Sequence, residues 1–124
     1  MMTMSYDLVF WCDESPGERD PQLVYEALLE DRQVVGLDDF EVPATLEALA
    51  TRFPEIVHVA NRAAVWEEAT GAGVIEFAWS DQHLMATARG DVGKDEINAI
   101  IDICVDVGGA RLYDPQIGQR FDSI

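Results

Sequence analysis

The chain opens on an apolar run, Tyr6-Asp7-Leu8-Val9-Phe10-Trp11-Cys12, whose aromatic and aliphatic residues predict a short buried strand. Asp13-Glu14-Ser15-Pro16-Gly17 carries turn chemistry and ends it. Asp20-Pro21 predicts a helix start, with Asp as N-cap and Pro at the first helical position, where its missing N–H costs nothing. Leu23, Val24, Ala27 and Leu28 form a helical stripe that fades near Asp31. Asp38-Asp39-Phe40-Glu41-Val42-Pro43 reads as a loop into a second helix. Leu46, Leu49, Ala50 and Phe53 mark that helix's buried face, and Pro54 stops it. Residues 55–72 show no clear period. Within them Ile56-Val57-His58-Val59 is a short strand or an extended connection, and Thr70-Gly71-Ala72-Gly73 is a turn.

The second half is more regular. Val74 to Trp79 predicts a strand, Ser80-Asp81-Gln82 turns the chain, and His83 to Ala88 returns as the partner of an antiparallel hairpin. Asp95 to Val107 predicts a helix, with Ile97, Ile100, Ile101 and Cys104 on one face and Asp95, Asn98, Asp102 and Asp106 on the other. Gly108-Gly109 stops it, and Arg111-Leu112-Tyr113 is a last short strand closed by Asp114-Pro115. The order is strand, one or two helices, strand, strand, helix, strand. It predicts an α+β domain: a ferredoxin-like antiparallel sheet with helices on one face and an extra helix in the first crossover. The other face is then open, and aromatics on it need cover from a loop or a partner. No linker or low-complexity tract divides the chain, so residues 1–124 read as a single domain.

Charge narrows the class of partner. The chain holds 24 acidic and 8 basic residues, a formal net charge of −16. Such a surface repels phosphate backbones and anionic lipid, so neither nucleic acid nor a membrane is an expected partner, whereas a basic protein is attracted and its encounter accelerated. The acids cluster in predicted loops and element ends. Asp13, Glu14, Asp38, Asp39, Glu41, Glu67 and Glu68 are the candidate docking residues, with Trp66 beside the last pair as a candidate aromatic anchor. Solvation alone also explains such clusters. A third reading is a homodimer pairing the open sheet face or an edge strand.

Motifs for catalysis and metal binding fail on inspection. Ser80, Asp81 and His83 supply the residue types of a triad, but neighbours on one tight turn do not assemble its geometry, and no G-x-S-x-G elbow surrounds the Ser. Gly93-Lys94 resembles the end of a P-loop, yet Ala88 and Asp95 stand where Gly and Ser or Thr are needed. No catalytic residue, metal ligand or cofactor is therefore assigned; His58 and His83 read as ordinary strand residues, without H-E-x-x-H spacing. An enzyme or small-ligand domain with a site invisible in sequence is the alternative. Cys12 and Cys104 sit in apolar segments, which favours buried free thiols; a disulfide forms only if those elements meet. No run of about 18 apolar residues is present, and the first residues lack the basic and apolar regions of a signal peptide, so the cytoplasm is the expected compartment.

Three segments together carry a resemblance: Tyr6-Asp7-Leu8-Val9-Phe10-Trp11, Trp79-Ser80-Asp81-Gln82-His83 and Leu112-Tyr113-Asp114-Pro115-Gln116. The chain resembles a family of small bacterial proteins with a "YDL-F-W" first strand and a "LYDPQ" ending. Some members are encoded near polymorphic toxin systems. The resemblance implies an immunity-like role and a structural part for Tyr113 and Pro115; it supplies no active-site residue.

Overall fold

Leu8, Val9, Phe10 and Trp11 are consecutive, and each is 1 % exposed or less. In a strand, neighbours point to opposite faces. Four buried neighbours in a row therefore require cover on both sides of the sheet. A computed structural model describes residues 5–13, 20–30, 32–35, 37–38, 40–116 and 119–121. Strand β1 (Ser5–Trp11) lies near the middle of a seven-stranded sheet with β2 (Val57–Ala60), β3 (Ala63–Glu67), β4 (Gly73–Trp79), β5 (His83–Gly90), β6 (Arg111–Asp114) and β7 (Gln119–Phe121). The order across it is β2-β3-β4-β5-β1-β6-β7, and each pairing is antiparallel. Phe10 stands opposite Leu84 on one side and Leu112 on the other.

Among the described residues three helices join the sheet: α1 (Pro21–Leu29), α2 (Val42–Arg52) and α3 (Lys94–Asp106). Helices α2 and α3 cover the face that carries Leu8 and Phe10. Leu49, Phe53, Ile100 and Cys104 join Ile75, Phe77, Leu84 and Leu112 there in the larger core. The expectation of helices on one face does not hold. Helix α1 sits on the opposite face, where Val24, Leu28 and Leu37 pack with Val9, Trp11 and Tyr113. The Tyr113 ring lies 5.3 Å from Trp11 and 5.6 Å from Tyr25, and its hydroxyl donates to Gln22 Oε1. The aromatics expected to need cover on this face are thus covered by the first crossover itself.

The helices follow their signals with local exceptions. The Asp20 carboxylate accepts the Gln22 N–H at 3.0 Å, so the first helix is capped as its sequence indicates. Leu23, placed on the buried stripe, is 63 % exposed; Val24 and Leu28 alone among the helix residues are buried, because α1 meets the sheet along a narrow line. In α2, Ala50 is exposed and Thr45 is fully buried in its place, its hydroxyl donating to the Glu41 carbonyl at 2.7 Å. The stretch without a clear period, residues 55–72, forms the β2–β3 hairpin. Trp66 from this hairpin enters the core at 5.1 Å from the Phe53 ring and only 7 % exposed. Neither cysteine is held in a disulfide. Cys104 is buried, which pushes its thiol up, while Cys12 is only partly buried, with Sγ 3.3 Å from the Gly109 carbonyl oxygen. Among the described residues, no helix is long and apolar enough to cross a membrane.

Candidate functional site

The β4–β5 turn organises one end of the sheet. Ser80 N–H donates to the His83 carbonyl at 2.9 Å, leaving Asp81 and Gln82 at the tip. The Ser80 hydroxyl accepts the Gln82 N–H at 3.1 Å and bonds His83 Nδ1 at 2.6 Å. This bond joins two of the triad residue types, but both groups are engaged in closing the turn. The Asp81 side chain, 90 % exposed, pairs with Arg62 at 3.6 Å.

Gln82 carries the next layer. Its side-chain oxygen accepts the Val34 N–H at 2.7 Å and its amide nitrogen donates to the Val34 carbonyl at 2.9 Å, imitating a strand neighbour. The α1–α2 connection is thereby fastened to the hairpin. Two further backbone bonds fix it: Asp38 N–H to the Cys12 carbonyl at 3.1 Å, and Phe40 N–H to the Asp81 carbonyl at 3.4 Å. Beside the turn is an open cleft of about 260 Å³, lined by Leu28, Arg32, Gln33, Arg62, Ser80, Asp81 and Gln82. Its two guanidinium groups are matched, Arg32 by Glu30 at 2.8 Å and Arg62 by Asp81. Among the described residues no cluster of three His, Cys, Asp or Glu could hold a metal ion.

The candidate docking acids divide between the two ends of the sheet. Asp13 and Asp38 are drawn together by the Cys12–Asp38 bridge, and Glu41 follows Phe40, which bonds Asp81. Four acids from three chain segments therefore share the hairpin end. Glu67 and Glu68 lie at the far end: Glu67 is opposite Val74, whereas Ala63 is opposite Ala78. Four residues along β3 separate these positions by roughly 13 Å. Glu68 is occupied within its own turn, where the Thr70 hydroxyl donates to its carboxylate and holds it below the usual carboxylate range. Glu14 and Asp39 lie outside the described residues. Trp66 does not serve as an exposed anchor, because its ring is packed in the core.

Residues near the start of β1 and the exit of β6 meet at the far end too. The Gln116 side chain accepts the Asp7 N–H at 2.7 Å and donates to the Asp7 carbonyl at 3.1 Å. Gln116 N–H donates to Asp114 Oδ1 at 3.0 Å, the Tyr6 hydroxyl donates to Asp114 Oδ2, and Thr87 donates to the Asp7 carboxylate at 2.7 Å. Tyr6-Asp7 and Asp114-Gln116 thus form a clasp between the first strand and the exit of β6. The hydrogen bond to Asp114, helped by burial and the Asp114 charge, pushes the Tyr6 phenol up to about 12. In the unfolded chain this phenol ionises near pH 10. The folded state therefore holds its proton over a range where the unfolded state has lost it, and stability falls as pH rises. The contribution is complete below about pH 10 and is lost as pH passes through about 12. Tyr6→Phe is expected to give a shallower fall of the urea midpoint across this window. Identical slopes for the two proteins would remove the clasp from the account.

A scan against protein-family models finds no match to the chain. A search of curated proteins likewise finds no relative.

Proposed function

We propose that this chain is a non-catalytic binding domain that docks a basic protein at the hairpin end of its sheet, in the manner of an immunity protein neutralising a cationic toxin in the bacterial cytoplasm. One observation carries the reading: Asp13, Asp38, Glu41 and Asp81 come from three separate segments and are held at one end by backbone bonds to Cys12 and Asp81. On a body of net charge −16, a fixed acidic end steers a cationic partner and speeds its encounter. The adjacent cleft favours a small anion less, because both of its arginines are already matched by carboxylates. We also read the inner strands β4-β5-β1-β6 as a ferredoxin-like core. The support is their order, their antiparallel pairing and the shared face of α2 and α3. The β2–β3 hairpin and β7 then extend this core at its edges.

The test uses the immobilised domain to capture basic proteins from a bacterial lysate, followed by elution in a salt gradient. Wild-type protein is expected to retain a cationic partner that leaves between about 0.05 M and about 0.5 M salt, as charges are screened. The triple substitution Asp13→Lys, Asp38→Lys, Glu41→Lys is expected to slow association of the purified partner about tenfold or more. Glu67→Lys with Glu68→Lys, at the opposite end, is expected to change it far less. Equal loss from both sets, or retention indifferent to salt, would sink docking at this end.

A further inference from the structure

Strand β2 forms one edge of the sheet, and all four of its residues are exposed. Val57 and Val59 expose 59 % and 62 % of their surface, unusual for valines in a strand. An edge strand offers a row of backbone donors and acceptors, which proteins commonly blunt with Lys, Pro, an inward charge or a covering segment. Val57-His58-Val59-Ala60 contains neither Lys, Pro nor an acid. One edge-blunting device is found there, a bulge between His58 and Ala60 in the pairing with β3.

Charge identifies the occupant. Two copies of net charge −16 repel, but at physiological ionic strength charges farther apart than about 8 Å are largely screened. What matters is the charge close to the contact, and residues 56–66 are the longest stretch of the chain without Asp or Glu. His58 and Arg62 are the ionisable groups within it. Here a second polyanion meets the least repulsion, while the cationic partner proposed above gains little. The ends of the strand are complementary as well. Antiparallel pairing of two β2 strands sets Pro54-Glu55 of one copy against Asn61-Arg62 of the other. Glu55 is exposed, and the Arg62 side chain is 54 % exposed, paired with Asp81 at 3.6 Å in a solvent-accessible contact that a second carboxylate can share.

We propose that β2 is a self-association edge, through which two copies join their sheets antiparallel about a two-fold axis, closed at each end by a Glu55–Arg62 pair. The interface is isologous, so each pair occurs twice. Main-chain hydrogen bonds supply the pairing, and the exposed valines are covered by the same contact.

Sedimentation velocity of the full chain, taken to millimolar concentration, reads the result directly. The wild-type protein is expected to form dimers, and Val57→Lys with Val59→Lys to remain monomeric while keeping its circular-dichroism spectrum. Glu55→Arg and Arg62→Glu are each expected to weaken the dimer about tenfold, since each turns two attractive pairs into repulsive ones. The double variant Glu55→Arg, Arg62→Glu restores the pairs and is expected to recover most of the loss. That recovery is independent of whether either single variant perturbs β2 locally. A wild-type monomer at millimolar concentration overturns the proposal. So does a dimer indifferent to the valine substitutions, or a double variant no stronger than the singles.

Discussion

Phe10→Ala is expected to lower the free energy of unfolding by about 3–5 kcal/mol, the range for truncating a fully buried aromatic. Phe10 is completely buried on β1, between Leu84 of β5 and Leu112 of β6, beneath the face covered by α2 and α3. The surrounding strands are hydrogen-bonded on both sides and have little freedom to close the cavity. A domain of this size has roughly 5–15 kcal/mol to lose, so the variant sits close to the limit of folding. In urea the midpoint should fall with its slope unchanged, the sign that stability rather than compactness has altered. Leu23→Ala is the matched control: at 63 % exposure it should stay within about 0.5 kcal/mol of wild type. A loss below about 1 kcal/mol for Phe10→Ala would mean that this position is not the centre of the core.

Gly90→Ala is expected to cost about 2–5 kcal/mol, from two causes that add. Gly90 has φ +73°, a left-handed conformation worth about 1–2 kcal/mol against a residue with a Cβ. The added methyl group would also lie 2.4 Å from the Ala72 carbonyl oxygen, so backbone must move, a strain of about 1–3 kcal/mol. Gly90 stands opposite Gly73, and Asp91 N–H donates to Ala72 at 2.8 Å, so the β3–β4 turn and the end of β5 touch at main-chain distance. Gly109 separates the causes. Its φ is +71°, but a Cβ there meets nothing within 4 Å. Gly109→Ala should therefore cost only the conformational part. Equal costs for the two variants, measured by thermal or urea unfolding, would show that the close approach at Gly90 is relieved without penalty.

Much of this fold is readable where hydrophobic residues recur with a clear period. The α3 stripe of Ile97, Ile100, Ile101 and Cys104 identifies a helix; its core members Ile100 and Cys104 are fully buried, and Ile97 and Ile101 partly so. The Val74–Trp79 and His83–Ala88 runs form the hairpin around their polar turn. The β2–β3 hairpin is harder to read, because its residues do not alternate in polarity. Val57 to Ala60 is apolar yet exposed, and in Ala63-Ala64-Val65-Trp66 the methyl groups of alanine say little about which side is buried. Trp66 reads as a surface anchor in sequence because acids follow it in the chain; its neighbour in space, Phe53, is thirteen positions away. A signal for the second covered face was present in the unbroken run Leu8-Val9-Phe10-Trp11, since strands buried on both faces lose their alternation. It does not say which segment provides the cover.

At the hairpin end, the chemistry of Asp13, Asp38 and Glu41 is visible in sequence, but their gathering is not. It depends on the Gln82 side chain, which holds Val34 from 48 positions away. No periodicity encodes a contact of that kind. For the same reason, the separation of Glu67 and Glu68 from the other acids follows from strand register and cannot be obtained by counting charges.

The central position of β1 also bears on synthesis. Its sheet partners are β5 and β6, so β1 gains its main-chain neighbours when residues 83–90 and 111–114 have been made. At about 5–20 residues per second, a ribosome leaves Leu8-Val9-Phe10-Trp11 without its native neighbours for several seconds. Helix α1 can shield one side of the run early and α2 part of the other, but the main-chain partners on both flanks wait for β5 and β6. Pairings this distant in sequence place the domain among slow folders. The nascent strand is therefore the segment most exposed to aggregation and to capture by chaperones before the C-terminal clasp closes over it.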